Sequence, residues 1–274
     1  MPTFAFRGVT VHYLDYGQGE PVLLLHAGAS SGRQWQKIGG FLQDRCRLVA
    51  PDLLGFGDTP SWPGPDALSH DHQADLAATL LRTVCDGAVH VVGHSYGGST
   101  AVRLIAAAPE RVKRLVLIEP NLVPLLREAG DIEIFDEYRR FAEGFMEDAS
   151  AGRDEAAWES FIDLRNGAGT WRAMPDKVRG RFLGLTQQTV DGFKSNLSNP
   201  ATLADCRAIA VPTLIVCGGN TTRPERRITE ILAKTISCCR YEIIPDAEHM
   251  SPLTHPAEVA SLILDHLAPP TYEA

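Results

Sequence analysis

Ser95 is the residue whose setting most clearly predicts chemistry. It lies between Gly93 and Gly97 in the stretch "VVGHSYGGS", after an apolar run and before a segment with helical spacing. A G-x-S-x-G pattern at a strand-to-helix turn strains the serine backbone, requires small neighbours and lifts the hydroxyl clear of the sheet. We therefore predict that Ser95 is a nucleophile.

The nucleophile needs a base, and His249 is the predicted one. A serine hydroxyl is a poor nucleophile at neutral pH unless a base lies within hydrogen-bond reach. His249 follows the last predicted strand and precedes the last predicted helix, which brings it to the same sheet edge as Ser95. His70 and His72 have neither a third ligand nor the helical spacing of a metal pair, so we predict no metal site and interpret both as solvated loop residues.

Short apolar runs and helical patterns alternate along the chain. The runs "PVLLLHAG", "RLVAPDLLG", "AVHVVGHS", "KRLVLIEP" and "VPTLIVCGG" end in glycine, proline or polar residues, and segments such as "HDHQADLAATLLRTV" carry apolar residues at helical spacing. Strands that alternate with helices imply parallel pairing through right-handed crossovers. The predicted fold class is α/β, with a doubly wound, mostly parallel sheet whose functional groups collect at the carboxyl ends of the strands.

The strand signal stops between about residues 121 and 199, where helical segments mix apolar with charged residues. We predict a helical cap, or lid, at 121–199, inserted into a core formed by residues 1–120 and 200–274. Large side chains of the cap are candidates for the wall of a substrate pocket, and they are Phe135, Tyr138, Trp158, Trp171 and Met174. The alternative is that these side chains form the cap's own core.

Four landmarks follow one another in order: "LLLHAGASSG", "APDLLGFGDT", "GHSYGG" and "IPDAEHMSPLTHP". With them, the chain resembles the α/β-hydrolase fold family from about Val11 to Leu267. The resemblance implies hydrolase chemistry that needs no cofactor or metal. It also implies an oxyanion hole made by the backbone N–H groups of Gly28 and Tyr96, although Ala27 stands where glycine is common.

The acid that should orient His249 is missing from its usual place. In most members of the family it lies a few residues beyond the glycine that ends "TLIVCG", but residues 219–222 are Gly, Asn, Thr and Thr. Glu119 closes the preceding apolar run at the same sheet edge, a position that some haloalkane dehalogenases and zearalenone-type lactone hydrolases use for their acid. We predict that Glu119 is the acid, and the alternative interpretation is a structural carboxylate. Glu225, at a helix start, is expected to complement the helix dipole.

Composition argues against several classes of partner. The 274 residues suit one α/β domain with an insertion, and the formal net charge of -8 without a basic run argues against nucleic acid. The six cysteines form no CxxC pair and are predicted to be reduced thiols. The N-terminus has no signal-like pattern and no run of about eighteen apolar residues occurs, so we expect a cytoplasmic protein with no membrane partner. Whether it forms a homodimer is left open.

These observations predict a serine hydrolase that acts on a small-molecule carboxylic ester or lactone through an acyl-enzyme intermediate. Ser95 excludes the aspartate-nucleophile mechanism of dehalogenases and epoxide hydrolases of this fold, whereas perhydrolases and haloperoxidases keep the serine triad. Two alternatives stay open. One is hydrolysis of a carbon-carbon bond in a diketone-like ring-fission product by the same residues. The other is a non-catalytic hydrolase scaffold that binds a small lipophilic ligand.

Overall fold

A single mixed sheet organises the protein, and the computed structural model describes residues 1–268. Eight strands of this range lie in the order β1-β2-β4-β3-β5-β6-β7-β8. They are β1 (Thr3–Phe6), β2 (Val9–Gly17), β3 (Glu20–Leu25), β4 (Cys46–Pro51), β5 (Val89–His94), β6 (Val112–Ile118), β7 (Thr213–Gly218) and β8 (Cys239–Ile244). β2 pairs antiparallel with β1 and β4, and the other neighbours are parallel. The predicted α/β fold class is confirmed.

Helices connect the strands, as the alternating sequence pattern predicts. They are α1 (Gln36–Leu42), α2 (His70–Val84), α3 (Tyr96–Ala107), α4 (Pro124–Glu128), α5 (Ile132–Ser150), α6 (Asp154–Asn166), α7 (Thr170–Ala173), α8 (Asp176–Leu183), α9 (Thr186–Leu197), α10 (Leu203–Arg207), α11 (Arg223–Thr235), α12 (Ser251–Thr254) and α13 (Pro256–Leu267). Among residues 1–268, no helix combines the length and apolar character that a membrane crossing requires.

The sheet is buried on both faces, which explains why its central strands are continuous apolar runs. Successive residues of a strand point to opposite faces. In β3, Leu23 and Leu25 pack into the cluster that contains α2 and α3. Val22 and Leu24 pack into the cluster that contains α1 and α13. All four side chains are fully buried. The centre of the sheet is therefore closely packed on both faces and holds the loops at its edge in place.

The chain between β6 and β7 is helical and carries α4 to α10. Helices α4 to α9 fall within the predicted cap, and we call residues 121–199 the cap segment. Four aromatic rings from α5, α6 and α9 contact one another and hold these helices together; they are Phe141, Phe145, Phe161 and Phe193. The division into core and cap stays a prediction, and residues 269–274 of the predicted core lie outside the described residues.

His70 and His72 are not solvated loop residues, and that prediction was wrong. His70 is the first residue of α2 and is buried. Its Nδ1 lies 3.1 Å from Thr100 Oγ1 and its Nε2 lies 2.9 Å from Asn196 Oδ1. His72 completes a capping box with Ser69 at the start of the same helix. Because Asn196 belongs to α9, His70 links the cap segment to the core.

Candidate active site

Strand register brings the predicted chemical residues together at the carboxyl edge of the sheet. His94 of β5 pairs with Ile118 of β6, so Ser95 and Glu119 each follow a paired position. Ile118 pairs in turn with β7, and β7 pairs with β8, whose following loop carries His249. Neighbouring parallel strands therefore deliver the three side chains to one place.

The backbone of Ser95 is strained as the sequence motif requires. Its φ of 54° and ψ of -116° lie in a region that non-glycine residues rarely adopt. A side chain at Gly97 would overlap the carbonyl oxygen of Leu25, and one at Gly93 would overlap the backbone of Gly97. Glycine is thus required at both flanking positions, because a side chain there would keep β5, the turn and α3 from packing so closely.

Ser95, His249 and Glu119 form a continuous chain of hydrogen bonds. His249 Nε2 lies 2.9 Å from Ser95 Oγ, and His249 Nδ1 lies 2.6 Å from Glu119 Oε2. The three residues are 4%, 3% and 0% exposed respectively. In this arrangement Nδ1–H donates to the carboxylate and Nε2 is free to accept the serine proton, which is the geometry of a nucleophile, base and acid.

The carboxylate of Glu119 is held by the loop that follows β7. The Gly218 N–H donates to Oε1 at 2.5 Å and the Thr221 hydroxyl donates to Oε2 at 2.7 Å. Burial raises the pKa of Glu119, but the hydrogen bonds and charge of His249, Gly218 and Thr221 outweigh it and hold that pKa below its ordinary value. The carboxylate is therefore ionised at neutral pH and able to stabilise a charged imidazole.

The two predicted oxyanion donors lie next to each other. A Cβ built on Gly28 would stand 3.8 Å from the Cβ of Tyr96, and both residues line the same cavity as Ser95. The neighbouring Ala27 N–H is already used, because it donates to Gln34 Oε1 at 3.1 Å. Among the backbone–backbone hydrogen bonds that residues 1–268 form outside regular helices and strands, none uses the Gly28 or the Tyr96 N–H. Their role as an oxyanion hole stays a prediction.

Most of the sequence matches a known family. The profile of the Alpha/beta hydrolase family matches residues 22–262. This chain belongs to the Alpha/beta hydrolase family. In this hydrolase, Ser95 on its strained turn and the buried His249 are the candidate catalytic residues.

Similar proteins carry several hydrolase names. A 2-hydroxymuconate semialdehyde hydrolase of Pseudomonas sp. (strain CF600) is 28% identical over 270 residues, which cover 95% of this chain and 91% of that protein. Lipase LipV of Mycobacterium tuberculosis is 29% identical over 276 residues, covering 95% and 99% respectively. The solved structure of a thermophilic esterase from Thermogutta terrifontis superposes with a TM-score of 0.72 at 26% identity, covering 97% of this chain and 96% of that one.

A cavity of about 340 Å³ opens onto the Ser95 hydroxyl of the hydrolase. Its wall is mainly apolar and comes from the serine turn, the Gly28 loop, the histidine loop and the cap segment. Of the five cap residues predicted as candidates for the pocket wall, Tyr138 and Met174 lie in this wall, whereas Phe135 is buried away from it. The cavity has the volume and character of a small-molecule site.

Trp158 and Trp171 do not line the cavity, and the expectation for these two residues needs correction. Both are buried in the core of the cap segment. Their rings stack 6.5 Å apart, and each also contacts Phe182. The indole N–H of Trp158 donates to Thr186 Oγ1 at 3.1 Å. Their large apolar side chains thus stabilise the packing of the cap helices against one another.

Asn121 is a residue of the site that sequence reasoning missed. Its Nδ2 donates to Ser95 Oγ at 3.1 Å, and its backbone N–H donates to the Ser95 carbonyl at 3.3 Å. The side chain is buried and lines the cavity. Its position two residues after Glu119, at the same strand end, was the available signal in the sequence.

A buried polar relay links three loops of the site. Gln34, which holds the Ala27 amide, donates from Nε2 to His94 Nδ1 at 3.1 Å. His94 Nε2 then donates to the His249 carbonyl at 2.9 Å. Burial and the neighbouring His249 lower the pKa of His94 to about 3, so it stays neutral and keeps both roles. The relay fixes the backbone of His249 against the Gly28 loop.

Glu225 does more than complement a helix dipole. It lies in the first turn of α11, as predicted, but it is buried and pairs with Arg165 of α6. Arg165 Nη2 donates to Glu225 Oε1 at 2.9 Å, and the Thr222 hydroxyl donates to Oε2. Burial alone would raise the pKa of Glu225, but the charges of Arg165 and His249 act in the opposite direction. The net result is a pKa of Glu225 below its ordinary value. This buried ion pair joins the cap segment to the core beside the cavity.

Within residues 1–268, no group of three or more metal-ligating side chains is found.

Proposed function

We propose that the hydrolase cleaves carboxylic esters, lactones included, through an acyl-enzyme on Ser95. The observation that carries this proposal is the unbroken hydrogen-bond chain from Ser95 Oγ through His249 to Glu119 beside the cavity. A serine, a neutral imidazole and an ionised carboxylate in this order are the parts that acyl transfer requires. The similarity to a lipase and an esterase supports the same reaction class.

In the first half of the proposed reaction, Ser95 Oγ attacks the carbonyl carbon and its proton passes to His249 Nε2. The carboxylate of Glu119 stabilises the imidazolium that results. The oxyanion is stabilised by the N–H groups of Gly28 and Tyr96, each of which is worth about 3 kcal/mol of barrier in comparable sites. Collapse of the intermediate breaks the carbon-oxygen bond, and His249 gives its proton to the leaving alcohol.

In the second half, water releases the acid. His249, neutral again, takes a proton from a water molecule that attacks the acyl carbon, and the collapse returns that proton to Ser95 Oγ. With a lactone, the alcohol formed in the first half stays attached to the acyl chain, so a single hydroxy acid leaves. The reaction balances with one water consumed for each ester bond.

A second candidate reaction is hydrolysis of a carbon-carbon bond in a diketone-like compound. The similarity to a 2-hydroxymuconate semialdehyde hydrolase over 95% of the chain favours it. The same three side chains can serve, because a nucleophile and a proton donor are again required. The products differ, since this reaction yields an acid and a carbon fragment and releases no alcohol.

Product analysis tests the proposal and separates the two reactions. The wild type and Ser95→Ala are incubated with a panel of p-nitrophenyl esters, γ- and δ-lactones and a vinylogous 1,5-diketone, and products are measured by mass spectrometry. The double bond of this diketone lets the electron pair of the broken carbon-carbon bond delocalise onto the second carbonyl. We expect the wild type to release an acid and an alcohol from an ester, or a single hydroxy acid from a lactone, and Ser95→Ala to form neither product above the uncatalysed rate. Turnover of the diketone alone supports the second candidate. An absence of turnover on every compound, together with retained ligand binding, contradicts both reactions and favours a binding scaffold.

A further inference from the structure

Within the described residues, Arg165 brings a buried cation with one unpartnered N–H group to the cavity wall. Its side chain is 5% exposed and lines the cavity. Nη2 donates to Glu225, but Nη1 is buried and has no hydrogen-bond partner among residues 1–268. A guanidinium offers five N–H donors in a fixed plane. A buried charged donor without an acceptor is unfavourable, so a group that enters the cavity and accepts from Nη1 gains binding energy.

Tyr138 presents a second donor at the same wall. Its hydroxyl accepts a hydrogen bond from Asn196 Nδ2 at 2.9 Å, which leaves its own proton available. Burial raises the pKa of Tyr138 to about 12, although Arg165 acts in the opposite direction. The hydroxyl is therefore a permanent donor at neutral pH. Tyr138 and Arg165 line the same cavity, so one ligand group can contact both.

The surroundings favour an anionic ligand group of low charge. No aspartate or glutamate of residues 1–268 belongs to the cavity wall. Glu225, which pairs with Arg165, approaches from α11 outside that wall. The rings of Phe161 and Phe141 lie 4.8 and 5.4 Å from the guanidinium carbon and fix its plane. Because Arg165 already shares its charge with Glu225, a monoanion suits the remaining donors better than a dianion.

We propose that Arg165 and Tyr138 form a carboxylate subsite, so that the hydrolase prefers esters or lactones that carry a free carboxylate apart from the scissile bond. A carboxylate can accept from the planar guanidinium and from the phenol at once. This inference rests on the proposed ester hydrolysis for its substrate, and it adds the second functional group. The subsite lies on α5 and α6 of the cap segment, whereas Ser95 lies on the core.

Matched substrates test the subsite. p-Nitrophenyl half-esters of linear dicarboxylic acids, from glutarate to suberate, are compared with the corresponding primary amides, which have the same length and no charge. At one chain length or more, we expect kcat/KM of the wild type to be about tenfold or more higher for the carboxylate. Equal values at every chain length would overturn the subsite while leaving ester hydrolysis intact.

Two variants give opposite predictions for the carboxylate-to-amide ratio. Glu225→Gln removes the charge that neutralises Arg165, so the ratio should rise. Arg165→Met with Glu225→Gln removes the cation without leaving a lone buried anion, so the ratio should fall to about one. Arg139→Met with Glu143→Gln, an exposed ion pair on α5, is the matched control and should keep the wild-type ratio. The proposal is contradicted if the carboxylate-to-amide ratio moves in the same direction in Glu225→Gln and in the double variant Arg165→Met with Glu225→Gln.

Calorimetry separates failure of the subsite from failure of the proposed reaction. The same proteins are titrated with linear dicarboxylates and with their diamides, which have the same length and no charge, and this needs no turnover. If no ester is hydrolysed but the dicarboxylate binds the wild type and not the Arg165 variant, the subsite stands and the reaction fails. If the dicarboxylate and the uncharged diamide bind the wild type with equal affinity, the subsite is refuted whatever the enzyme hydrolyses.

Discussion

The hydroxyl of Thr221 donates a hydrogen bond of 2.7 Å to the carboxylate of Glu119. Thr221 belongs to the loop after β7, where the sequence lacks an acid, and Glu119 ends the neighbouring strand β6. The loop therefore contributes a donor to the carboxylate instead of contributing the carboxylate itself. In the proposed mechanism the acid is thus supplied by the end of β6, and the loop after β7 holds its carboxylate.

Thr221→Val should slow ester hydrolysis by about tenfold, because the carboxylate of Glu119 loses a charge-assisted hydrogen bond. The substitution keeps the shape of the side chain. Thr222→Val is the matched control, since that hydroxyl donates to Glu225 instead, and it should retain most of the activity. The measurement is kcat/KM on one ester for both variants, and an equal loss in the two would contradict a specific role for Thr221.

Asn121 is expected to orient the nucleophile. Its amide donates to one lone pair of Ser95 Oγ, which leaves the serine proton directed at His249. Asn121→Leu should reduce the acylation rate by about tenfold. Asn121→Asp should reduce it further, because a carboxylate can only accept and would compete with His249 for that proton. A rate for the aspartate variant that equals or exceeds that of the leucine variant would contradict this role.

The free energy of unfolding should fall as the pH drops from 7 toward 4.5. Burial lowers the pKa of His26 and His70 to about 4, and burial together with His249 lowers that of His94 to about 3. The unfolded chain protonates these histidines near their ordinary value of 6.5, so below that pH it binds more protons than the folded protein and is favoured. Each histidine contributes at most about 1.4 kcal/mol per pH unit.

Urea unfolding at pH 7.5, 6 and 5 measures this dependence. His94→Gln removes one of the three titrating groups, so its free energy of unfolding should depend less steeply on pH than that of the wild type. The slope is the informative quantity, because the substitution also changes the stability at neutral pH. A wild-type free energy that stays constant down to pH 5 would show that the histidines titrate alike in both states.

Trp158 and Met174 should respond differently to truncation. Trp158→Ala opens a cavity in the core of the cap segment and should lower the free energy of unfolding by about 3–5 kcal/mol. Met174→Ala enlarges the wall of the active-site cavity and should change KM with a much smaller loss of stability. Urea unfolding and steady-state kinetics on both variants check this. Equal destabilisation by the two changes would place Met174 in the cap core as well.

The sequence allowed the fold and the meeting of Ser95, Glu119 and His249 to be predicted because each depends on chain order and on strand ends. Buried apolar runs mark parallel strands, and parallel strands deliver their following residues to one edge. The departure of the acid from residues 219–222 was visible as a missing carboxylate. The prediction that Glu119 is the acid followed from the same rule applied one strand earlier.

Other parts of the site depend on side-chain directions that spacing alone does not determine. Trp158 and Tyr138 are both large residues of cap helices, yet one faces the cap core and the other faces the cavity. His70 finds its partner Asn196 at a distance of 126 residues along the chain. Arg165 and Glu225 likewise meet only once the cap segment has packed on the core. Pairs of this kind follow from tertiary packing and have no local signal.

The rate of covalent labelling by a fluorophosphonate, read by intact mass, tests the central claim most directly. The proteins are the wild type, Glu119→Gln and, as a second buried glutamate beside the site, Glu225→Gln, each checked for folding by circular dichroism. We predict a single label on the wild type and on Glu225→Gln at similar rates, and a rate about 10³- to 10⁴-fold lower for Glu119→Gln, because the amide favours the wrong tautomer of His249. Labelling of Glu119→Gln at the wild-type rate would contradict the assignment of Glu119 as the acid that orients the base.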